Sequence, residues 1–231
     1  MFRRASALWL VVVLLLAAGC KEDGTVRVRS LEFKGLKRID GSKLADVLAT
    51  KKSSRLPWGR KAYFDRQRFD MDLQRLQAYC ADRGFPDTRV TGFDVKLNDK
   101  QDAVDLTVTI DEGDPVTVSA ISFVGFESIP SDHLDALKSR VPLKVDAPRD
   151  RAVVVGTREM ALDELKDHGY PYASVDARED AGATSKRVSL TFAATPGKLA
   201  YIGPVQIQGN KTVDERTIER QLTFKTGDLY Q

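Results

Sequence analysis

The sequence predicts an α+β chain of tandem repeats, each a strand-helix-helix-strand-strand unit with two helices packed on a three-stranded mixed sheet. Three recurring markers carry this reading. A short alternating segment closes on Phe33-Lys34-Gly35, again on Phe123-Val124-Gly125, and again on Ile207-Gln208-Gly209, with the glycines 90 and 84 residues apart. Gly84-Phe85-Pro86 recurs as Gly169-Tyr170-Pro171, 85 residues later. Leu106 to Ile110 leads to Gly113 as Leu190 to Ala194 leads to Gly197, each glycine lying 12 residues before the next repeat glycine. Markers kept in one order near one period are the mark of a repeat architecture. The division expected is 26–113, 114–198, and the opening of a third unit at 199–231.

Residues 1–19 read as an address rather than a fold element. Arg3 and Arg4 precede an apolar run from Ala7 to Ala18. Twelve helical residues rise about 18 Å, short of a hydrocarbon core of roughly 30 Å, which suits a secretory signal and not a stable span. The run ends in Ala17-Ala18-Gly19-Cys20, which resembles the lipobox of bacterial lipoproteins. That resemblance implies acylation of Cys20, with residues 20–25 as a tether. Lys21 after the cysteine, in place of the aspartate that retains lipoproteins at the inner membrane, implies the outer membrane.

The first unit opens on a strand in which Val28 to Phe33 alternates, Leu31 and Phe33 sharing a face. Gly35 suits a left-handed turn position. Ser42 is expected to cap a short helix over Lys43 to Thr50, with Leu44, Val47 and Leu48 inward. A basic stretch with Pro57 and Gly59 breaks it, and Trp58 is expected to fold back over the helices. A longer helix is predicted from Asp65 to Arg83. Phe69, Leu73, Leu76 and Cys80 form its apolar stripe, so Cys80 reads as a packing residue. Gly84 ends it and Pro86 prevents restarting. Strands over Thr88–Lys96 and Ala103–Ile110 follow, joined by a turn at Asn98-Asp99-Lys100.

The second unit repeats the order. Ser131 is expected to cap a helix reaching Ser139. A longer helix spans Asp150 to His168, with Val154, Ala161 and Leu165 inward and Arg158 where the first unit has Leu73. Strands over Ala173–Arg178 and Arg187–Ala194 close it. In the third segment a helix is expected from Glu215 to Leu222. The chain stops before this unit could close its sheet, so it is expected to be a fragment of a longer protein or a truncated gene product.

These residues resemble POTRA domains, the periplasmic modules of the BamA/TamA outer-membrane assembly superfamily. The resemblance rests on the strand ending in Phe-x-Gly, on the helix from Asp65 to Tyr79 closing in Gly84-Phe85-Pro86, and on the strand from Leu106 into Gly113. It implies the periplasmic face of the outer membrane in a Gram-negative bacterium. It implies as partners unfolded outer-membrane β-barrel precursors and proteins of the assembly machinery. The membrane itself would be reached through a lipid anchor or a C-terminal barrel. It further implies strand addition: an extended peptide pairs with an exposed edge, main-chain hydrogen bonds giving affinity with little side-chain selectivity. The matching edges hold Thr88, Arg89, Val90, Thr91, Phe93 and Val95 in the first unit, and Ala173, Ser174, Val175 and Ala177 in the second. The charges Arg89, Asp94, Lys96, Asp176 and Arg178 also read as guards against edge aggregation. Two other functions fit the same residues: the POTRA arm of a two-partner secretion transporter, or an accessory envelope lipoprotein that binds folded partners.

Composition narrows the field. There are 36 Lys+Arg against 33 Asp+Glu, a formal charge of +3 that falls to +1 without Arg3 and Arg4. A nucleic-acid binder carries a stronger basic excess. No nucleophile elbow, Walker loop or zinc-protease motif occurs, so no enzyme, cofactor or metal site is expected. His133 and His168 lie 35 residues apart near helix ends and read as separate, exposed side chains. Asp111, Glu112 and Asp114 read as solvated carboxylates at a joint.

Overall fold

A computed structural model describes residues 26–56, 58–181 and 186–231. The expected signal peptide 1–19, the lipidation candidate Cys20, the expected tether 20–25 and Pro57 lie outside the described residues. The first unit runs β1 (Arg27–Lys34), α1 (Gly41–Val47), α2 (Arg66–Asp82), β2 (Arg89–Leu97) and β3 (Ala103–Asp111). The second runs β4 (Thr117–Val124), α3 (Ser131–Arg140), α4 (Arg151–Asp167), β5 (Ser174–Ala181) and β6 (Arg187–Thr195). A short helix, α5 (Glu215–Glu219), follows. The sheets are ordered β1-β3-β2 and β4-β6-β5. In each the first strand pairs parallel with the central one and the outer hairpin partner pairs antiparallel. A parallel pair needs a long crossover, and the two helices supply it.

Strict alternation in the opening strand is corrected by a bulge. The register of β1 against β3 shifts between Val28 and Ser30, and that of β4 against β6 shifts between Val118 and Ala120. The extra residue puts Val28 on the same face as Leu31 and Phe33, and Val118 on the same face as Ile121 and Phe123. Without it the strand's parity would turn Val28 to solvent. A third bulge, between Val90 and Gly92, keeps Val90, Phe93 and Val95 facing the helices.

Two expected caps move. Asp40, not Ser42, caps α1, its carboxylate accepting from the Ser42 N–H at 2.8 Å. A charged acceptor holds an orphan helix N–H better than a hydroxyl, so the helix begins and ends earlier than expected. Helix α3 begins at Ser131 after Pro130 with no side-chain cap bond. The long helices fall where expected, with Asp65 and Asp150 as N-caps. Both end in a Schellman motif. The Phe85 N–H donates to Cys80 O and the Gly84 N–H to Ala81 O, at 2.9 and 3.0 Å. Tyr170 and Gly169 repeat this on Leu165 and Lys166, both at 3.1 Å. The left-handed glycines at C′ permit it, with φ of 93° and 89°.

Each unit buries its own core between helices and sheet. Val28, Leu44, Phe69, Leu76, Cys80, Leu106 and Val108 fill the first. Val118, Leu137, Val154, Ala161, Leu165, Leu190 and Phe192 fill the second. Bulk is redistributed between them. Phe69 and Leu76 on α2 correspond to the smaller Val154 and Ala161 on α4, while Val108 in β3 corresponds to Phe192 in β6, stacked on Phe123 at 5.1 Å. Total volume, more than the identity at one site, is what a core must conserve.

Cys80 is fully buried, and burial pushes its thiol up to about 11. The thiolate is the reactive form, so the native protein should resist alkylation by iodoacetamide at pH 8 and react fully in denaturant. Rapid native labelling would contradict this packing.

The third segment is less regular than expected. Helix α5 stops at Glu219, and residues 202–208 pair with no strand among the described residues. Trp58 does not fold back: it is 83% exposed. Lys61 Nζ donates to the carbonyls of Ser54 and Leu56 and ties the loop to itself rather than to the helices. Among the described residues no helix is long and apolar enough to cross a membrane.

Candidate functional site

Each sheet has two outer strands, and they differ in what covers them. The outer side of β1 is occupied near its start: the Val28 N–H donates to Ala62 O, the Ser53 N–H to Val28 O, and the Phe64 N–H to Val26 O, at 2.8–2.9 Å. The same cover protects β4, where Val118 donates to Ala147, and Asp146 donates back to Val118. Strands β2 and β5 are different. Each pairs on one side with the central strand, and among the described residues no backbone hydrogen bond reaches its outer side. Unpaired N–H and C=O groups in a row are a template for another strand.

The predicted edge residues divide by position. Arg89 and Thr91 are exposed, and the Thr91 hydroxyl donates to Thr109 O at 3.3 Å beside the bulge. Val90 and Val95 face the first core. Phe93 shares that face: its ring meets Phe69 edge-on at 5.6 Å, and the Arg66 guanidinium covers it at 4.9 Å. Thr88 lies before β2, is buried, and spends its hydroxyl on Phe85 O and Glu112 O. In the second unit Ala173 precedes β5, Ser174 and Ala177 are exposed, and Val175 is buried in the core. The pairing of β5 runs from Ser174 to Ala181 with no register shift. So β5 is the more regular edge, and β2 is the one kinked by a bulge, with Lys96 paired to Asp94 at 3.0 Å.

The joints are built to a repeated pattern. The Val116 N–H donates to Gly84 O at 2.8 Å, and the Ala200 N–H donates to Gly169 O at 2.9 Å. Next to each, Arg149 donates to Val116 O and Tyr230 donates to Ala200 O, at 2.8 and 3.0 Å. A Cβ on Gly84 would lie 2.8 Å from Arg149 N. A Cβ on Gly169 would lie 2.5 Å from the Leu229 side chain. The glycine that ends each long helix therefore also seats the following segment. Charges add to the first joint: Arg83 meets Asp150 at 2.6 Å, and Lys186 meets Asp87 at 2.7 Å. The Asp150 carboxylate thus caps α4 and holds the end of α2.

Four carboxylates are held in ways their sequence context does not suggest. Glu112 is 3% exposed rather than solvated, and accepts from the N–H groups of Lys37, Arg38 and Ile39 at 2.8–3.1 Å. Burial alone would raise its pKa, but these donors outweigh burial and lower it. Asp72 is 1% exposed and accepts from the Ala49 and Thr50 N–H groups, tying the end of α1 to α2. Burial raises it too, and hydrogen bonds from Thr50, Ala49 and Arg75 bring it below the ordinary range. Asp105 is held down to about 2 by hydrogen bonds from Arg29 and Ser30. Glu164 in α4 is buried against Arg140 at 2.8 Å. The two histidines are not separate: their rings lie edge to face at 4.6 Å, beside Glu164, and His168 is only 18% exposed. A turn of helix places residues 164 and 168 together, and the packing of α3 on α4 brings in His133. Sequence spacing alone does not reveal it.

The geometry defines a class: mixed-sheet modules in tandem, each with one edge covered near its start and one open edge. Residues 26–113 match the POTRA family, described as the surface antigen variable number repeat. Among curated proteins the chain is 24% identical over 222 residues to the outer membrane protein assembly factor BamA of Nitratidesulfovibrio vulgaris, covering 94% of this chain and 27% of that protein. It is 21% identical over 203 residues to BamA of Neisseria meningitidis, covering 87% of this chain and 25% of the relative. The chain thus spans about a quarter of the length of the curated relatives it matches. A solved structure of POTRA domains 3–5 of Haemophilus influenzae BamA aligns with a TM-score of 0.48 and 22% identity, over 89% of this chain and 80% of that one.

Proposed function

We propose that this chain is the periplasmic POTRA region of an outer-membrane β-barrel assembly or translocation factor, and that it holds extended client or partner segments by strand addition. In this reading residues 26–113 and 114–198 are two complete modules, and 199–231 opens a third. Cys20, or a barrel beyond residue 231, would fix the array to the outer membrane. The work is binding, not catalysis.

The observation that carries the reading is the pair of open edges, β2 and β5, each unpaired along its whole outer side in a three-stranded sheet whose opposite edge is covered near its start. A client handler needs affinity without sequence preference, and main-chain pairing gives it. The similarity to assembly factors of the same region supports the same reading. Of the two edges, β5 is proposed as the principal one, because it lacks the bulge that re-aims β2.

The test is amide NMR or hydrogen exchange with an extended peptide copied from a membrane-barrel strand. Protection should appear on amides of β5, and less on β2. A scrambled peptide of the same composition should act alike, and one interrupted by proline should not. Protection confined to helix surfaces, or none, would refute the proposal. Binding of a folded envelope protein in place of the peptides would favour an accessory scaffold instead.

A further inference from the structure

We infer that His133, Glu164 and His168 form a binding site for a divalent transition-metal ion of the zinc class, one that ties α3 to α4. Each side chain offers a ligand atom, and the three atoms lie within 4.8 Å of one another. Ligands on a tetrahedral zinc stand about 2.0–2.1 Å from the ion, and so roughly 3.3 Å apart. The separation exceeds that by at most about 1.5 Å, which side-chain rotation has to close. His133, half-exposed on α3, has room to rotate.

The two other ligands lie one helical turn apart. Glu164 lies in the last turn of α4 and His168 is its C-cap, four residues on. The His168 Nδ1 lies 2.7 Å from the Glu164 backbone O, so this nitrogen carries the proton and Nε2 keeps a free lone pair. That bond is the kind of outer contact that fixes the tautomer of a metal-binding imidazole. Arg140 takes Glu164 Oε2 at 2.8 Å. The other oxygen, Oε1, is left 3.5 Å from His133 Nδ1 and 3.7 Å from His168 Nδ1. One buried carboxylate is thereby divided between a cation and two imidazoles.

The fold does not require this set. Aligned through the repeat glycines, the first unit has Lys43, Tyr79 and Arg83 where the second has His133, Glu164 and His168. The first unit packs its helices with two cations and a phenol at these positions. Two imidazoles and a carboxylate instead match the donor preference of zinc, nickel and copper ions, and not of calcium or magnesium. Three protein ligands leave one position for water or for a group from a partner.

The test uses the full chain prepared without a histidine tag. Zn²⁺ is titrated by calorimetry, and Co²⁺ by visible absorption. One equivalent should bind, with a Co²⁺ ligand-field band of four-coordinate intensity, and Zn²⁺ should raise the melting temperature. His133→Ala, at a half-exposed position, should keep its circular dichroism and lose at least about tenfold in Zn²⁺ affinity, the scale on which even a supporting group matters. His168→Gln should do the same. Arg140→Gln removes the competing cation and should tighten binding, an effect that generic surface adsorption would not show. No saturable binding to the wild-type chain, or equal binding by the His133→Ala and His168→Gln variants, overturns the assignment.

Discussion

Gly35→Ala should destabilise the first unit by on the order of 3 kcal/mol or more, among the largest single-residue effects in the chain. Gly35 sits where the chain leaves β1 and passes the end of β3. Its φ is +91°, and a Cβ there would stand 2.0 Å from Ile110 O. The obstacle is backbone held in a sheet ladder, so it cannot swing aside as a flexible side chain would. Gly125 repeats the situation against Ala194 O at 2.3 Å, with φ of +79°. Gly209 has the same sign of φ, +84°, but nothing within 4 Å of the added atom. Gly209→Ala should therefore show only the left-handed penalty, about 1–2 kcal/mol. Urea unfolding, with hydrogen exchange on β1 and β3 peptides to localise the loss, separates the two. If Gly35→Ala costs no more than Gly209→Ala, close backbone approach is not why the Phe-x-Gly signature recurs.

That contrast explains what could be read from sequence. The repeat was legible because it is written in residues whose backbone demands are local: Gly35 and Gly125 at the strand exit, Gly84 and Gly169 at the helix end. The long helices were legible through their stripes, from Phe69 to Cys80 and from Val154 to Leu165. The bulges were half-legible. Val28 and Leu31 are three apart, a spacing that even alternation does not allow on one face, but a single strand does not say whether the odd residue is bulged or merely exposed.

Features that depend on distant partners were hidden. Nothing near Glu112 in sequence says that three N–H groups 73 to 75 residues away will point at it. Nothing around His133 announces His168. Arg158, in place of an apolar residue, was visible as an irregularity. Its guanidinium reaches Glu159, while its Nε is buried without a partner. The open edges came from the family resemblance and not from the residues themselves. The sequence locates β2 and β5 as strands, but which side of each stays unpaired follows from the order β1-β3-β2 and β4-β6-β5.

The joint and the edge are linked by this architecture. The second unit covers its first strand with its own connecting loop and uses the same segment to meet the first. Arg149 lies in such a segment, donating to Val116 O in the first joint and holding Glu179 of β5 at 2.9 Å. A peptide that paired with β5 would therefore bind a strand already braced, through one arginine, to the preceding joint.

Glu112→Ala should be the second large loss, about 2–4 kcal/mol, because it strands the Lys37, Arg38 and Ile39 N–H groups near the core. Its signature is in pH. The folded-state pKa of Glu112 is lowered, as are those of Asp72 and Asp105. A carboxyl with a depressed folded pKa contributes stability above its unfolded value and loses it as pH falls through the folded one. The wild-type chain should thus lose stability between roughly pH 4, where free carboxylates titrate, and about pH 2, where Asp105 is held. In Glu112→Ala the stability at neutral pH should drop while the acid slope becomes shallower, since one of the titrating groups is gone. Glu112→Gln retains a carbonyl acceptor for part of the nest and should fall between the two. Chemical denaturation of all three proteins at a series of pH values measures both quantities. An unchanged acid slope in Glu112→Ala would mean that the carboxylate is not charged in its nest, and that the loop after β1 is held by packing alone.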